Sequence, residues 1–241
     1  MSQKRNPEHT YYPDSLTSLP MTSSYEKPNK NIYIKQVLDW VLFQLTITII
    51  MAGYAYSKRD ELNTYLNNNP GSIFLPIIFS FISLFMMYYT KSNTTKKLMF
   101  GVFTVTMSLM VSVSVLPYSP DVVLKAVITT FMLVLAINQY SKYSAKRGVK
   151  MDKLAEVGVS MLLVLIVLSI LQVFIQSSMF GLIICVMGVG IFTILLIVDL
   201  NRLYDKTEDF QEDPMLAAVG IYLDIVNLFL YLLELYKRCD E

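Results

Sequence analysis

The sequence predicts an all-α polytopic membrane protein, a bundle of seven transmembrane helices, and three observations carry that expectation. Hydrophobic residues make up 54% of the 241 and charged residues only 16%, against about a quarter charged in an ordinary soluble domain. The charges are also unevenly spread. From Leu154 to Val198 the sole charged residue is Glu156, a run that suits two crossings of roughly 20 residues each. Finally, apolar stretches of spanning length recur seven times between short polar breaks.

The stretches run approximately 36–56, 72–90, 97–117, 121–140, 157–175, 179–199 and 215–236. Inside lipid each backbone group must be bonded within its own segment, so they are read as helices rather than open strands. The breaks have turn chemistry: Asn67-Asn68-Asn69-Pro70-Gly71, Pro117-Tyr118-Ser119-Pro120 and Gln176-Ser177-Ser178. Residues 1–32 are polar, rich in Ser, Thr, Pro, Asn and Tyr, and carry no apolar run that would make a secretory signal. They are expected to form a disordered cytosolic tail. The membrane domain is then 33–236, followed by a short tail at 237–241.

Lysine and arginine positions set the orientation. Lys4, Arg5, Lys27, Lys30 and Lys35 precede or open the first span. Lys91, Lys96 and Lys97 lie between the second and third, and Lys142, Lys146, Arg147, Lys150 and Lys153 between the fourth and fifth. Arg202 and Lys206 follow the sixth. Connections of the other parity hold Lys58 and Arg59, then nothing in the turns at 117–120 and 176–178. The positive-inside bias therefore puts the N-terminus in the cytosol. The seventh segment strains this rule, because a full crossing leaves Lys237 and Arg238 on the far side. Its length, about 33 Å as a helix, favours crossing, and re-entry is the alternative.

Several function classes drop out. A net charge of +1 gives no reason for nucleic-acid binding, two cysteines (Cys185 and Cys239) imply no disulfide framework, and a single His9 does not make a zinc site. An ionisable side chain inside a span needs a reason. Asp39, Lys125 and Glu234 lie near span ends, where an interfacial role suffices. Asp199 closes the uncharged run of the sixth span, and Asp224 sits in the middle of the seventh. Asn227, three residues on, shares the helical face of Asp224. The sixth and seventh segments are antiparallel neighbours, so the two carboxylates are candidates for a close pair. Two such groups in a poorly solvated place cannot both ionise cheaply and would share a proton. Deprotonated, they offer hard oxygens suited to Ca²⁺.

The run Tyr222-Leu223-Asp224-Ile225-Val226-Asn227-Leu228-Phe229-Leu230, within 213–233, closely resembles the last segment of the transmembrane Bax inhibitor motif family. Ile197-Val198-Asp199-Leu200-Asn201 is similar to the end of that family's sixth span, with Leu200 where a Thr is common. Looser likeness covers Tyr33 to Thr46, with Gln44, and the pair Thr129-Thr130. The resemblance extends over about 33–236. It implies a seven-helix bundle with a central C-terminal helix in an endoplasmic reticulum or Golgi membrane. It further implies a pH-sensitive Ca²⁺ leak and protection against cell death, with Asp199 and Asp224 as gating, proton-sensing and Ca²⁺-ligating residues. No cofactor is implied beyond Ca²⁺ as the transported ion. Membrane lipid, Ca²⁺, H⁺ and cell-death regulatory proteins are the partners. Met107 stands where several relatives carry a Glu, which removes one oxygen ligand. No Arg lies within the second or third span to neutralise the aspartates; Lys91 and Arg202 are nearest, Arg202 one turn beyond Asp199.

Three readings follow: a proton-gated Ca²⁺ leak, a non-conducting adaptor that restrains cell-death machinery by contact, and an intramembrane aspartyl protease. The last is disfavoured, because Asp224 follows Ile221-Tyr222-Leu223 rather than Gly-x-Gly. The chain is thus expected not to be an enzyme.

Overall fold

The computed structural model describes residues 30–205 and 213–240. The expected tail up to residue 29, with Lys4, Arg5, His9 and Lys27, lies outside the described residues, as does Lys206. Among the described residues the elements are α1 (Lys30–Ser57), α2 (Arg59–Asn68), a 3₁₀ turn (Pro70–Ile73), α3 (Phe74–Tyr89), α4 (Asn93–Val115), α5 (Pro120–Lys146), α6 (Asp152–Ile175), α7 (Ser178–Tyr204) and α8 (Pro214–Asp240). All but α2 are long and apolar enough to cross a bilayer, α3 together with the 3₁₀ turn. The predicted seven-span bundle is therefore the fold, and the protein is an integral membrane protein.

Element boundaries follow local chemistry. Pro120 opens α5 with Asp121 in its first turn, where an acid meets the positive end of the helix dipole. Gly148, with φ of 69°, closes α5 while Val149 N donates to Ser144 O, the left-handed stop that glycine takes without a Cβ clash. Gln176 adopts the same left-handed region, and Ser177 then caps α7 by accepting from Phe180 N at 3.4 Å. Asp213 caps α8 by accepting from Met215 N at 2.9 Å.

Three boundaries differ from the sequence expectation. Helix α1 begins at Lys30, inside the predicted tail. Helix α8 continues to Asp240 and absorbs most of the tail expected at 237–241. Its last turn is held: Arg238 pairs with Glu234 at 2.7 Å, Asp240 with Lys125 at 3.0 Å, and Lys237 lies over the Tyr118 ring. The third difference is α2, which the sequence reading left as a connection. Asp60 and Glu61 in its first turn, and Leu62, Tyr65 and Leu66 at helical spacing, are its signal.

Helix α8 is the hub, packing on α7, α5, α1 and α4, whereas α6 leans chiefly on α7 and α3 on α4. Leu228 and Leu233 of α8 meet Ile191 and Leu196 of α7 in the main core. Phe100 and Phe103 of α4 close on Val219 and Tyr222. Helix α8 also resolves the crossing question. It runs unbroken past α7 until Arg238 donates to Ser178 O, at the very start of α7. A re-entrant segment would not reach that end of the bundle.

Glycines let α7 and α8 approach closely. A Cβ on Gly188 would stand 2.6 Å from the Tyr231 ring, and one on Gly181 would stand 2.5 Å from the Arg238 guanidinium. Small residues at such contacts substitute close backbone packing for a hydrophobic drive that lipid does not supply.

Candidate functional site

The α7–α8 seam brings the two predicted aspartates into one neighbourhood. Asp224 lies midway along α8 and is 7% exposed. The Asp199 carboxylate rests on the bare Cα of Gly220, where a Cβ would be 3.1 Å from its Oδ2. Gly220 and Asp224 are four residues apart, one turn on the same face of α8. The two carboxyl groups are near enough to feel one another electrostatically. Asp224 Oδ2 is buried with no hydrogen-bond partner in the protein. A buried polar atom in that condition is costly unless something else supplies the bond. Asp199 itself is half-buried.

The other residues named with the pair take the following places. Arg202 is exposed on α7, three residues beyond Asp199, and Lys91 is exposed after α3. Asn227 donates from Nδ2 to Leu223 O at 2.8 Å and faces a cavity further along α8. Met107 is half-buried and packs with the Phe100–Tyr222 cluster, an apolar contact where a Glu would have placed an oxygen. Asp39 is exposed, and Lys125 is exposed and paired with Asp240, in keeping with their interfacial reading.

Two polar assemblies were missed. The first joins α1, α4 and α8 in the apolar interior. Thr48 Oγ1 lies 2.9 Å from both Ser108 Oγ and Tyr222 Oη, and it donates to Gln44 O at 2.8 Å. Gln44 Nε2 donates to Thr104 Oγ1 at 3.4 Å, while Gln44 Oε1 is buried without a partner. The sequence signal was the spacing: Gln44/Thr48 and Thr104/Ser108 are each four apart, one polar stripe on each of two apolar helices.

The second assembly closes the opposite end of α8. Glu234 accepts from Tyr118 Oη through Oε2 and pairs through Oε1 with Arg238. Burial, and then the hydrogen bond to Glu234, raise the Tyr118 phenol above its ordinary range, so it remains a donor at any physiological pH. Glu234 had been read as a plain interfacial acid. Its dedicated partners come from the 117–120 turn and the final helical turn, which no local pattern links.

A cation lodged at the Asp199–Asp224 seam would find few fixed ligands. Among the described residues no group of three or more His, Cys, Asp or Glu side chains converges. Ca²⁺ takes six to eight oxygens, so two carboxylates suit a passing, partly hydrated ion rather than a resident one.

Comparison with known proteins agrees with this architecture. Residues 30–240 match the family profile described as inhibitor of apoptosis-promoting Bax1. The chain is 28% identical to Protein LIFEGUARD 4 of Arabidopsis thaliana over 214 residues, 86% of this chain and 85% of that protein. It is 30% identical to the Golgi anti-apoptotic protein of Vaccinia virus (strain Lister) over 212 residues, 87% of this chain and 86% of the viral one. With the match covering the entire helical bundle, the chain belongs to the Bax inhibitor family, of the anti-apoptotic lifeguard type.

Proposed function

We propose that this protein is a pH-sensitive Ca²⁺ leak channel of an internal membrane, which modulates stored Ca²⁺ and thereby protects against cell death. The observation that carries this reading is the buried mid-span carboxyl of Asp224 with Asp199 seated one helical turn away on Gly220. One proton shared between the two makes a charge-assisted hydrogen bond that latches α7 to α8. Losing that proton leaves two repelling carboxylates, and adding a second removes the charge that strengthened the bond. Either change loosens the seam. The positive-inside rule supports a cytosolic N-terminal face, since Lys35, Lys96, Lys97, Lys142, Lys146, Lys150 and Lys153 gather at the end where α1 begins. Of the two compartments expected, Golgi and endoplasmic reticulum, the name of the viral relative supports the Golgi.

The decisive measurement is Ca²⁺ flux through the full chain in reconstituted vesicles as pH is varied. We expect a pH-dependent flux in the wild type that becomes pH-independent in Asp199→Asn with Asp224→Asn. A flat wild-type response, or an unaltered response in the double variant, overturns the proposal.

A non-conducting adaptor that inhibits cell-death machinery by contact is the second reading, favoured by the family description itself. Protection of cells by the double aspartate variant, with stored Ca²⁺ unchanged, would select it. In both readings the protein is a regulator rather than an enzyme. Helix α8 is unbroken around Asp224, whereas peptide cleavage there would need backbone opened to a substrate.

A further inference from the structure

The seam around Asp224 is one of two polar regions that α8 touches. Beyond it lies a cavity of about 380 Å³ between the start of α7, the ends of α4, α6 and α8, and the 117–120 turn, room for about ten waters. Its walls include Gln172, Cys185, Asn227, Glu234 and Arg238, with Tyr118 at the rim. Two buried polar atoms there lack a partner in the protein: Gln172 Oε1, an acceptor, and Arg238 Nε, a donor. Their apolar neighbours cannot satisfy them, and a cavity of that size with several convergent polar groups is the kind that holds water.

The mouth has a lid. The Arg238 guanidinium lies over the bare face of Gly181, donates to Ser178 O at 3.3 Å and holds Glu234 at 2.7 Å. The floor is Asn227, one helical turn from Asp224. Ile191 and Leu196 of α7 and Ile225 and Leu228 of α8 are buried, and the three residues from Asp224 to Asn227 put the two polar regions roughly 4.5 Å apart along α8.

We propose that this cavity is a water-filled vestibule for hydrated cations, in which Glu234 is the receiving carboxylate and Arg238 is a tethered counter-ion that occupies it when the lid is shut. The proposal deepens the leak reading and rests on it for the direction of traffic, since it makes the vestibule the far-side end of the path that begins at Asp199 and Asp224. The lid changes the vestibule's charge by one unit. With Arg238 in place its charge offsets that of Glu234, and with Arg238 displaced a carboxylate faces the water. Of the neighbouring charges, Lys125 is paired with Asp240, while Lys237, over the Tyr118 ring at the rim, keeps its charge whether the lid is shut or displaced.

Cys185, 3% exposed in the wall, is a built-in reporter. In a Cys239→Ser background it is the remaining thiol of the full chain. The protein, held in lipid nanodiscs, is treated with membrane-impermeant methanethiosulfonates bearing either a trimethylammonium or a sulfonate group, and modification is timed by mass spectrometry. We expect Cys185 to be modified in the folded protein. Arg238→Gln should raise the cationic-to-anionic rate ratio at least about tenfold, and Glu234→Gln should lower it. Millimolar Ca²⁺ should slow the cationic reagent in Arg238→Gln and have no such effect once Glu234→Gln is added. Arg238→Lys, which keeps the charge, should retain the parent ratio and guards against a folding artefact. A Cys185 that reacts only after denaturation, or a rate ratio indifferent to both charge removals, overturns the vestibule. The readout needs no flux. A reactive Cys185 with flat flux removes the leak and keeps the vestibule, while an inert one with pH-dependent flux does the reverse.

Discussion

Helices α6 and α8 make opposite use of similar raw material. Helix α6 is the more apolar, yet only 11% of its spanning stretch is buried in the protein, against 56% for α8. In water the more hydrophobic helix would be the interior one. In a bilayer lipid solvates the apolar helix at no cost, and the helix drawn to the centre is the one with groups that lipid cannot satisfy. Helix α8 carries Tyr222, Asp224, Asn227, Glu234 and Arg238, and four helices gather around it. Polarity within a span marks the inside, as hydrophobicity does in a soluble fold.

The sharpest way to break that comparison is a matched truncation. Leu228→Ala in α8, at 0% exposure, should cost about 2–5 kcal/mol because the cavity it leaves has only partial means of collapse. Leu163→Ala in α6, at 62% exposure, should cost well under about 1 kcal/mol, because lipid fills the space. Equal losses in reversible unfolding from mixed micelles would mean that α8 is not the hub.

Next come the glycines of α7, the helix packed between the two. Gly188→Ala drives a methyl into the Tyr231 ring and should destabilise by about 1–3 kcal/mol. Gly190, which has nothing within 4 Å of its Cβ position, should tolerate Ala or gain up to about 1 kcal/mol from helix propensity. Thermal denaturation of the pair in one detergent decides it.

A smaller effect is expected in the buried hydroxyl network. Thr48→Val leaves Ser108 and Tyr222 without their shared partner and should cost about 0.5–1.5 kcal/mol; Thr46→Val, whose hydroxyl bonds only Leu42 O on an exposed face, should be close to neutral. The smallest concerns α2. Breaking the exposed Lys58–Glu61 pair with Glu61→Gln should change stability by less than about 0.5 kcal/mol, and a larger loss would assign α2 a packing role that its exposed residues do not suggest.

What the sequence revealed, and what it did not, follows the same physics. Spans were legible because apolar length is a local property, and the crossing of 179–199 and 215–236 could be read within a few residues of α7 and α8. Asp199 and Asp224 were legible because an acid in an apolar run stands out alone. The Tyr118–Glu234–Arg238 cluster was invisible because it forms only when the 117–120 turn meets the end of α8, more than a hundred residues away. Thr48 was overlooked, and Gln44 entered only through the looser family likeness, because neutral polar residues in a span carry little weight one at a time, and their worth shows only when Ser108 and Tyr222 arrive opposite them.

An odd number of crossings has a plain topological result. Lys30 and Asp240, at the outer ends of α1 and α8, open onto different compartments. A kinase, protease or antibody confined to one side meets one of these ends and never both. Epitopes grafted next to each of them would therefore report opposite faces of the membrane, and a partner that grips one end can influence the other only through the bundle itself.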